Sequence, residues 1–397
     1  MTMNENRMSV SAFFQKYTMI IALVVVVVFF AIATGGKNLL PGNINNLIAQ
    51  NAYVFVLAAG MLLCILTGGN IDLSVGSVVC FSAAVGCVMM DNDVNMWLAV
   101  LAMLVIGLLI GAFQGFWIAK LHVPAFIATL SGMYAFRGFS NVVLGGYQVS
   151  VSNETFLNLF GGGARCYVPD VIRQAMGTTG KPNLTCLAIG FVVVAAFIFV
   201  KVRKILIQKK LNIHQSIPAQ LVTTAIISAV VIWLTWKLAS HKGFPTVLIW
   251  IGLVLGVYQY ITTKTAIGRH LYAVGGNEKA TALSGVKTRN VYWFAYASIG
   301  LMAGLAGILT AARAKGIDPT YAEGYEMDAI ASCFIGGASA YGGVGKVSGM
   351  IVGAVLMGVI NQGMNIVGVD SNFQKVVKGL VLLVAVVFDV LSKRQKG

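Results

Sequence analysis

One glycine-rich stretch of the sequence, residues 340–347, resembles a phosphate-binding loop. A loop of the Walker type needs a glycine at its first position, and it needs a serine or threonine after the lysine because that hydroxyl holds magnesium. Ala340 and Val347 stand at these two positions, so both requirements are unmet. The sequence therefore predicts that this chain does not hydrolyse ATP by itself and binds no cofactor of its own.

Ionisable side chains within the apolar stretches are few. Arg137 lies in the middle of one stretch, and Asp72 and Asp328 lie near the ends of two others. A charged group inside a membrane marks function by default, and a proton-coupled carrier usually needs an acid deep in the bundle. The sequence offers neither paired carboxylates nor a histidine–acid relay. Two roles stay open for Arg137, contact with a solute or attachment to a helix end.

Neutral amides are the other polar groups in the apolar stretches. An amide both donates and accepts hydrogen bonds, which suits an uncharged polyhydroxylated solute that must pass without tight binding. Asn361 and Asn365 are four residues apart, so they share one face of a helix. The alternative is that each amide bonds a neighbouring helix. The predicted solute path consists of Asn51, Asp72, Ser74, Gln114, Thr129, Arg137, Asn361, Gln362 and Asn365.

The six cysteines and four histidines form no metal-binding pattern. The cysteines lack the Cys-x-x-Cys spacing, and the histidines are single residues in or beside polar connections. Cys166 and Cys186 flank a polar segment and could pair in an oxidising compartment, but spacing alone does not fix disulfide geometry. An intramembrane enzyme would need clustered nucleophiles or metal ligands, so the sequence disfavours that class.

The amino-acid composition indicates whether these groups lie in a soluble protein or in a membrane protein. Of the 397 residues, 58% are hydrophobic and only 10% are charged, whereas a soluble domain has about 25% charged residues. No aqueous fold could cover that much apolar surface, so we predict an all-α polytopic membrane protein. A soluble enzyme, a nucleic-acid-binding protein and a disordered scaffold are excluded.

Twelve apolar segments are predicted to cross the membrane, because a bilayer span needs about 20 helical residues. The tenth is too short to cross as a plain helix, so we expect a half-helix completed by the glycine-rich run at 336–345. The predicted spans are residues 17–34, 47–67, 71–90, 96–119, 124–144, 184–202, 219–236, 245–261, 291–312, 328–340, 347–367 and 376–391.

The distribution of charge gives the orientation of these spans. With the N-terminus inside, most of the 28 lysines and arginines fall in cytoplasmic segments, while most of the 13 acidic residues fall outside. This is the positive-inside bias of membrane proteins, so both termini are predicted to be cytoplasmic. Anionic lipid is a predicted secondary contact of the same residues. The net charge of +15 therefore requires no nucleic-acid partner.

A short pattern occurs twice in the chain. Residues 68–76 and residues 316–324 each place glycine and aspartate directly after a long span. In the predicted topology the first segment lies at the inner face and the second at the outer face, as expected of an inverted repeat, the usual plan of transporters. The match is short, and chance remains the alternative.

The predicted cytoplasmic loop at 263–290 contains a candidate docking helix. Residues 277–284 predict a short helix that is capped by Asn277 and ended by Gly285. An exposed amphipathic helix between two spans suits a soluble partner. The predicted contact residues are Gly275, Gly276, Asn277, Glu278, Ala280, Leu283, Ser284, Gly285 and Val286.

The same loop carries a family resemblance. Residues 268–286 resemble the coupling loop of the ribose/xylose/arabinose permease family of ABC importers. The motifs cover most of the chain apart from residues 151–242, and an extra span pair at 184–236 is similar to the xylose and multiple-monosaccharide permeases. Further matching segments are residues 71–77, 123–130, 135–138, 328–331 and 335–337.

This resemblance implies one permease domain over residues 1–397, with a ten-span core and the pair at 184–236 at its periphery. It implies a bacterial inner-membrane homodimer, a cytoplasmic ABC ATPase that uses ATP and magnesium, in some systems with two fused ATPase domains, and an extracytoplasmic sugar-binding protein. The expected function is ATP-driven import of monosaccharides by a subunit that is not itself an enzyme. An ABC permease for another small solute and an ion-coupled secondary carrier remain alternatives, and the carrier would need no partner genes.

Overall fold

The computed structural model describes residues 10–178, 180–211 and 217–394, which are almost entirely helical. The predicted cytoplasmic ends of the chain lie outside the described residues. The helices are α1 (Val10–Ala33), α2 (Pro41–Gln50), α3 (Ala52–Leu66), α4 (Val75–Asp91), α5 (Met96–Leu121), α6 (Ala125–Leu144), α7 (Glu154–Phe160), α8 (Val171–Ala175), α9 (Leu184–Lys210), α10 (Ile217–His241), α11 (Val247–Lys264), α12 (Ala266–Gly276), α13 (Glu278–Leu283), α14 (Thr288–Ala314), α15 (Tyr325–Ile335), α16 (Val347–Val367) and α17 (Ser371–Arg394).

Helix α3 is the centre of the bundle. All of its 15 residues are buried, and it contacts α11, α14, α15 and α16. A helix that is apolar on every side has no face for water and is placed in the interior of a large bundle. Its sequence, almost wholly aliphatic and aromatic, therefore explains its position.

Helices α5 and α14 pack with their backbones in contact. A Cβ atom added at Gly107 would lie 2.4 Å from the carbonyl oxygen of Gly300, and one added at Gly304 would lie 2.5 Å from that of Met103. Small residues at four-residue spacing allow such an approach between membrane helices. The glycines of these two helices thus serve packing within one chain.

The two halves of the core use the same set of helix contacts. In the first half α3 leads through a turn to α4, α5 and α6, and in the second half α14 leads through a turn to α15, α16 and α17. Helix α14 packs on α4 and α5, and α3 packs on α15 and α16. Likewise α4 contacts α5 and α6, and α15 contacts α16 and α17. Exchanging the two sets of four helices leaves these contacts unchanged, which supports an internal repeat.

Each predicted span overlaps a helix, but the number of passes stays a prediction. Six helices of the described chain, α5, α9, α10, α11, α14 and α16, are long and apolar enough to cross a membrane. Helices α2 and α3 make a seventh span if they count as one bent unit. Helix α15 is short and is followed by the glycine-rich run, as predicted for the half-helix.

Two sequence-based boundaries were wrong. The helical segment at the second predicted span begins at Pro41, whose fixed φ suits the first helical position, and it bends by 41° at Asn51. The Asn51 side chain donates to the carbonyl of Leu47, and such local bonds compete with the helical pattern. Residues 71–74, predicted to be helical, form a turn before α4.

A minor β contact departs from the all-α prediction. The strands β1 (Val149–Ser150) and β2 (Gly316–Ile317) pair antiparallel over two residues. Helices α9 and α10 form a hairpin that contacts the core through α2 and is mostly exposed along its apolar length. The thiols of Cys166 and Cys186 are both buried and free, so the pairing that the sequence left open does not occur here.

Candidate functional site

A polar cavity of about 230 Å³ lies between the α2–α3 bend and helices α14, α15, α16 and α17. Its volume is below the roughly 300–1,000 Å³ of pockets for drug-sized ligands, so it suits a smaller solute. Amides and hydroxyls dominate the polar lining. These polar residues are Gln50, Asn51, Tyr53, Thr310, Arg313, Tyr321, Tyr325, Asn361, Asn365, Gln374 and Lys378.

The bend between α2 and α3 supplies one wall of this cavity. Asn51 stands at the bend and is buried, and its Oδ1 accepts a hydrogen bond from Asn361 Nδ2 at 3.3 Å. Asn365, one turn further along α16, accepts from Gln374 Nε2 of α17 at 2.9 Å. Amides from three segments therefore meet at the cavity, and they hold one another in place.

A buried carboxylate lies behind the cavity wall. Asp328 of α15 is fully buried, and its Oδ2 accepts from Lys378 Nζ at 2.8 Å and from the Tyr53 hydroxyl at 2.5 Å. The same oxygen accepts from Asn361 Nδ2 at 3.3 Å. All three donors line the cavity, so one carboxylate orients groups on α3, α16 and α17.

Two stacked tyrosines complete this wall. The rings of Tyr53 and Tyr325 lie 3.4 Å apart between centroids, with their planes 8° from parallel. Because Tyr53 is also hydrogen-bonded to Asp328, both rings have little freedom. The cavity wall between α3 and α15 is thus a preformed surface.

The predicted docking helix in the loop at 263–290 is confirmed as a helix. It is α13, its first turn is capped by Asn277 Oδ1, which accepts from the Ala280 N–H at 3.0 Å, and Gly285 follows with a φ of +84°. Thr281 faces inward, whereas the Leu283 side chain is 89% exposed. An exposed leucine on a capped polar loop is a surface suited to a partner.

The preceding helix α12 attaches this loop to the core. A Cβ added at Gly275 would lie 1.9 Å from the carbonyl oxygen of Leu66, at the end of α3. The Tyr272 hydroxyl donates to the carbonyl of Gly345 at 2.7 Å, and burial raises the pKa of this phenol, so the proton stays in place. The loop at 263–290 therefore rests directly on α3 and on the glycine-rich stretch at 340–347.

The glycine-rich stretch is part of the same junction. The Gly343 N–H donates to the carbonyl of Leu66 at 3.0 Å, and the Ala340 N–H donates to Asp389 Oδ2 of α17 at 3.0 Å. These N–H groups, which would face the anion in a phosphate loop, are bonded to the protein. The stretch joins α3, α12 and α17.

Comparison with known proteins gives these features a context. Residues 43–164 and 239–386 match the family model described as the permease component of the branched-chain amino acid transport system. The two stretches together cover more than half of the chain. The chain belongs to this permease family.

Individual relatives match the permease over nearly its whole length. It is 33% identical over 388 residues to the xylose transport system permease protein XylH of Escherichia coli, covering 96% of this chain and 93% of the relative. It is 32% identical over 395 residues to the ribose import permease protein RbsC of the same organism, covering 99% of both. The XylH of Haemophilus influenzae is 32% identical over 389 residues, with 96% and 97% covered. The resemblance seen in the sequence motifs is confirmed. No solved structure matches this permease.

Three of the nine predicted path residues, Asn51, Asn361 and Asn365, meet at the cavity of the permease. Gln362 does not, because its side-chain amide donates to the backbone carbonyl of Asn43 on α2. Adjacent residues of one helix point in different directions, and the four-residue spacing of the two asparagines was the correct signal.

Another three predicted path residues form a separate buried network in the permease. Ser74 Oγ donates to Asp72 Oδ1 at 2.6 Å, and Gln114 Nε2 donates to Ser74 Oγ at 2.8 Å. Thr129 is buried on α6 and bonds the carbonyl of Ala125 within its own helix. None of these four residues lines the cavity between α2, α3 and α14–α17.

Arg137 takes a positioning role in this geometry. Its guanidinium donates to the backbone carbonyls of Pro319 at 3.0 Å and Tyr321 at 2.6 Å. Tyr321 lines the cavity and Arg137 does not, so Arg137 holds the turn that carries a lining residue. Of the two roles that the sequence left open, the contacts favour attachment.

Sequence reasoning missed the groups that join α15 and α17 to the cavity. Asp328 was recognised only as an acid near a span end, and Lys378 was not singled out. Lys378 lies in the apolar segment 376–391 and Asp328 in the segment 328–340, so two opposite charges in two short spans were the available signal. The stacked tyrosines had no signal of their own, because their proximity depends on tertiary packing.

Proposed function

We propose that this permease is the membrane-spanning subunit of an ATP-driven ABC importer of monosaccharides in the bacterial inner membrane. The observation that carries the proposal is the match of nearly the whole chain to a xylose and a ribose permease. The cavity agrees with it chemically, because amides and hydroxyls can bond sugar hydroxyl groups in either direction. Asn51, Asn361 and Asn365 are the proposed sugar contacts on this path.

The proposed partners follow from the division of labour in such importers. A cytoplasmic ABC ATPase, separate or with two fused domains, hydrolyses ATP with magnesium, and an extracytoplasmic protein delivers the sugar. A second copy of the permease completes the transmembrane unit. The ATPase is proposed to dock on the loop at 263–290, with Leu283 as the apolar contact because it is 89% exposed.

The hairpin of α9 and α10 is proposed to lie at the periphery of the permease. It is mostly exposed, and the family match skips residues 165–238, which contain most of it. Its basic residues are proposed to contact anionic lipid headgroups, each worth about 1 kcal/mol near such a surface. They are Lys201, Arg203, Lys204, Lys209 and Lys210 of α9.

The transport path is tested by replacing the two cavity asparagines together. In proteoliposomes that contain the permease, its ATPase and its binding protein, N361L/N365L is expected to reduce uptake of labelled xylose or ribose at least tenfold, because the hydrogen-bonding wall becomes apolar. The matched control is Gln362→Leu on the same helix, whose amide bonds α2 instead of facing the cavity. Equal uptake by N361L/N365L and the wild type, with assembly intact, would remove the cavity from the path.

The docking of the ATPase is tested separately at α13. Leu283→Asp is expected to lower sugar uptake at least tenfold while ATP hydrolysis by the complex continues, because a charge replaces the apolar contact. Ala282→Asp, on a neighbouring exposed position away from the side shared by Ala280 and Leu283, is the control and should retain coupled uptake. Normal uptake in Leu283→Asp contradicts the docking assignment.

A further inference from the structure

We propose that Asp328 sets the charge selectivity of the cavity: by neutralising Lys378 from behind the wall, it limits the positive charge of the cavity and so favours uncharged sugars relative to sugar acids. This inference rests on the proposed function and names a residue that determines specificity. It concerns the class of solute that the cavity accepts.

The first argument is the position of the charged pair. Lys378 Nζ lies 2.8 Å from Asp328 Oδ2, the lysine side chain is 14% exposed, and the aspartate is fully buried. The lysine lines the cavity, and the aspartate lies behind it. A second pair on α17, between Lys375 and Glu323, is about half exposed and is screened by solvent. Of these two pairs, the first is therefore the one that affects the charge a solute meets in the cavity.

The second argument is the chemistry of the remaining lining. Among the described residues, no aspartate or glutamate lines the cavity, and its cations are Lys378 and Arg313. The Arg313 guanidinium donates to Asn46 Oδ1 at 3.2 Å, but this partner is a neutral amide, so Arg313 keeps its positive charge. Asp328 is the carboxylate that compensates Lys378, so its removal adds a second uncompensated cation to the cavity.

The third argument is the hydrogen-bonding capacity left for a solute. Asn361 Nδ2 is occupied by Asn51 and Asp328, whereas Asn361 Oδ1 has no hydrogen-bond partner among the described residues. A lone acceptor oxygen favours a hydroxyl donor and repels a carboxylate. The wall is thus arranged for sugar hydroxyls as long as Lys378 remains paired.

Removing the aspartate charge should change the preferred solute class. In Asp328→Asn the Lys378 ammonium remains at the wall without a counter-ion, and an ammonium forms strong charge-assisted bonds with a carboxylate. Xylose and xylonate are suitable probes, because the first carbon is an uncharged hemiacetal in the ring form of xylose and a carboxylate in xylonate. The ratio of the two is compared between proteins, so their difference in shape affects both proteins alike. Relative to the wild type, the variant should shift its preference from xylose towards xylonate.

The experiment measures binding of both probes to the full-length permease in nanodiscs by saturation-transfer NMR. We expect the xylose-to-xylonate signal ratio to fall at least fivefold from wild type to Asp328→Asn, and to recover in the double variant D328N/K378M, which has no charge at this place. An unchanged ratio in Asp328→Asn, or a ratio that stays low in the double variant, overturns the proposal.

A second variant covers the case in which Asp328→Asn does not fold. Lys378→Met leaves the carboxylate without its cation, so it should weaken xylonate binding further and increase the signal of the cationic sugar glucosamine at least threefold over the wild type. No gain of glucosamine signal in a folded Lys378→Met protein also overturns the proposal.

The outcomes separate this inference from the proposed function. If N361L/N365L loses sugar flux but Asp328→Asn keeps the wild-type ratio, the path stands and the charge selectivity is wrong. If the wild type gives no signal with either probe and N361L/N365L transports normally, the cavity is not on the path and both proposals fail.

Discussion

The permease contains two turns with the same hydrogen bonds and different surroundings. In the turn before α4, Asp72 Oδ1 accepts from the Ser74 N–H at 2.8 Å and from its hydroxyl at 2.6 Å. In the turn after α14, Asp318 Oδ1 accepts from the Thr320 N–H and hydroxyl at the same two distances. Asp72 is buried, and its partner Ser74 is bonded to Gln114, whereas the second turn is partly exposed and carries Tyr321 to the cavity.

The difference between the two turns shows how a repeated backbone acquires two roles. The Asp-x-Ser/Thr pattern fixes the same local geometry in both halves, because the side chain replaces a backbone acceptor. The neighbouring residues then determine the role of each turn. Ser74 and Gln114 fill the space at the first turn, whereas Arg137 bonds two backbone carbonyls of the second turn, which lies beside the cavity. The first turn is therefore predicted to serve stability, and the second to serve the solute path.

The largest expected effect is on the yield of folded protein, when one glycine from each turn region is replaced. Gly69 and Gly324 both have a φ near +80°, where a side chain is strained by about 1–2 kcal/mol. A Cβ at Gly69 would also lie 1.9 Å from the carbonyl oxygen of Ala340, whereas a Cβ at Gly324 meets nothing within 4 Å. Gly69→Ala should reduce the yield of monodisperse permease at least fivefold in size-exclusion chromatography, and Gly324→Ala should leave it nearly normal. Equal yields would mean that the first turn is not tightly packed.

The next largest effect is on the free energy of unfolding, when the aspartate of each turn is replaced. Asp72→Ala removes two hydrogen bonds in a buried network and should destabilise the permease by about 2–3 kcal/mol. Asp318→Ala removes the same bonds at a partly exposed site and should cost about 1 kcal/mol, as loss of a helix cap does. The midpoint of thermal unfolding in detergent should therefore fall further for Asp72→Ala. The reverse order would refute the assignment of the first turn to stability.

The smallest effect concerns an aspartate outside the repeat. Asp170 Oδ1 and Oδ2 accept from the N–H groups of Arg173, Leu184 and Thr185, so one carboxylate caps both α8 and α9. Desolvation raises the pKa of this group, but the hydrogen bonds outweigh it and hold the pKa below its ordinary value. Its stabilisation is therefore present above the unfolded pKa of about 3.9 and is lost as the pH falls through the folded pKa.

Asp170→Ala is accordingly expected to act only locally. Hydrogen exchange at neutral pH should speed up in the first turn of α9 and stay unchanged in α3 and α14, because the hairpin lies outside the core. As a check, the variant and the wild type should exchange at the same rate in this turn at low pH, because the wild-type carboxylate is then protonated. Faster exchange in α3 and α14 as well would contradict the expectation that the hairpin of α9 and α10 unfolds independently of the core.

Most of the fold follows from local sequence signals, and most of the site does not. The helices are visible in the apolar segments, and the cap at Asn277 with Gly285 located α13, because caps act within a few residues. The bend at Asn51 and the turn at Asp72 were missed, since in both a polar side chain overrides the apolar pattern around it. The asparagine pair on α16 was found through its helical spacing. The contact between Asp328 and Lys378 joins residues 50 apart in the chain, so only packing reveals it.

The glycine contacts between α5 and α14 also bear on how the permease changes shape. Two backbones that touch leave no side chains between them whose rotamers could rearrange, and close-packed interiors deform little. We therefore expect these two helices to behave as one rigid unit within the subunit. Helix α17, by contrast, packs mainly on α15 and lies away from this pair. We therefore expect a transport cycle to leave α5 and α14 fixed to one another and to move the outer helices around them.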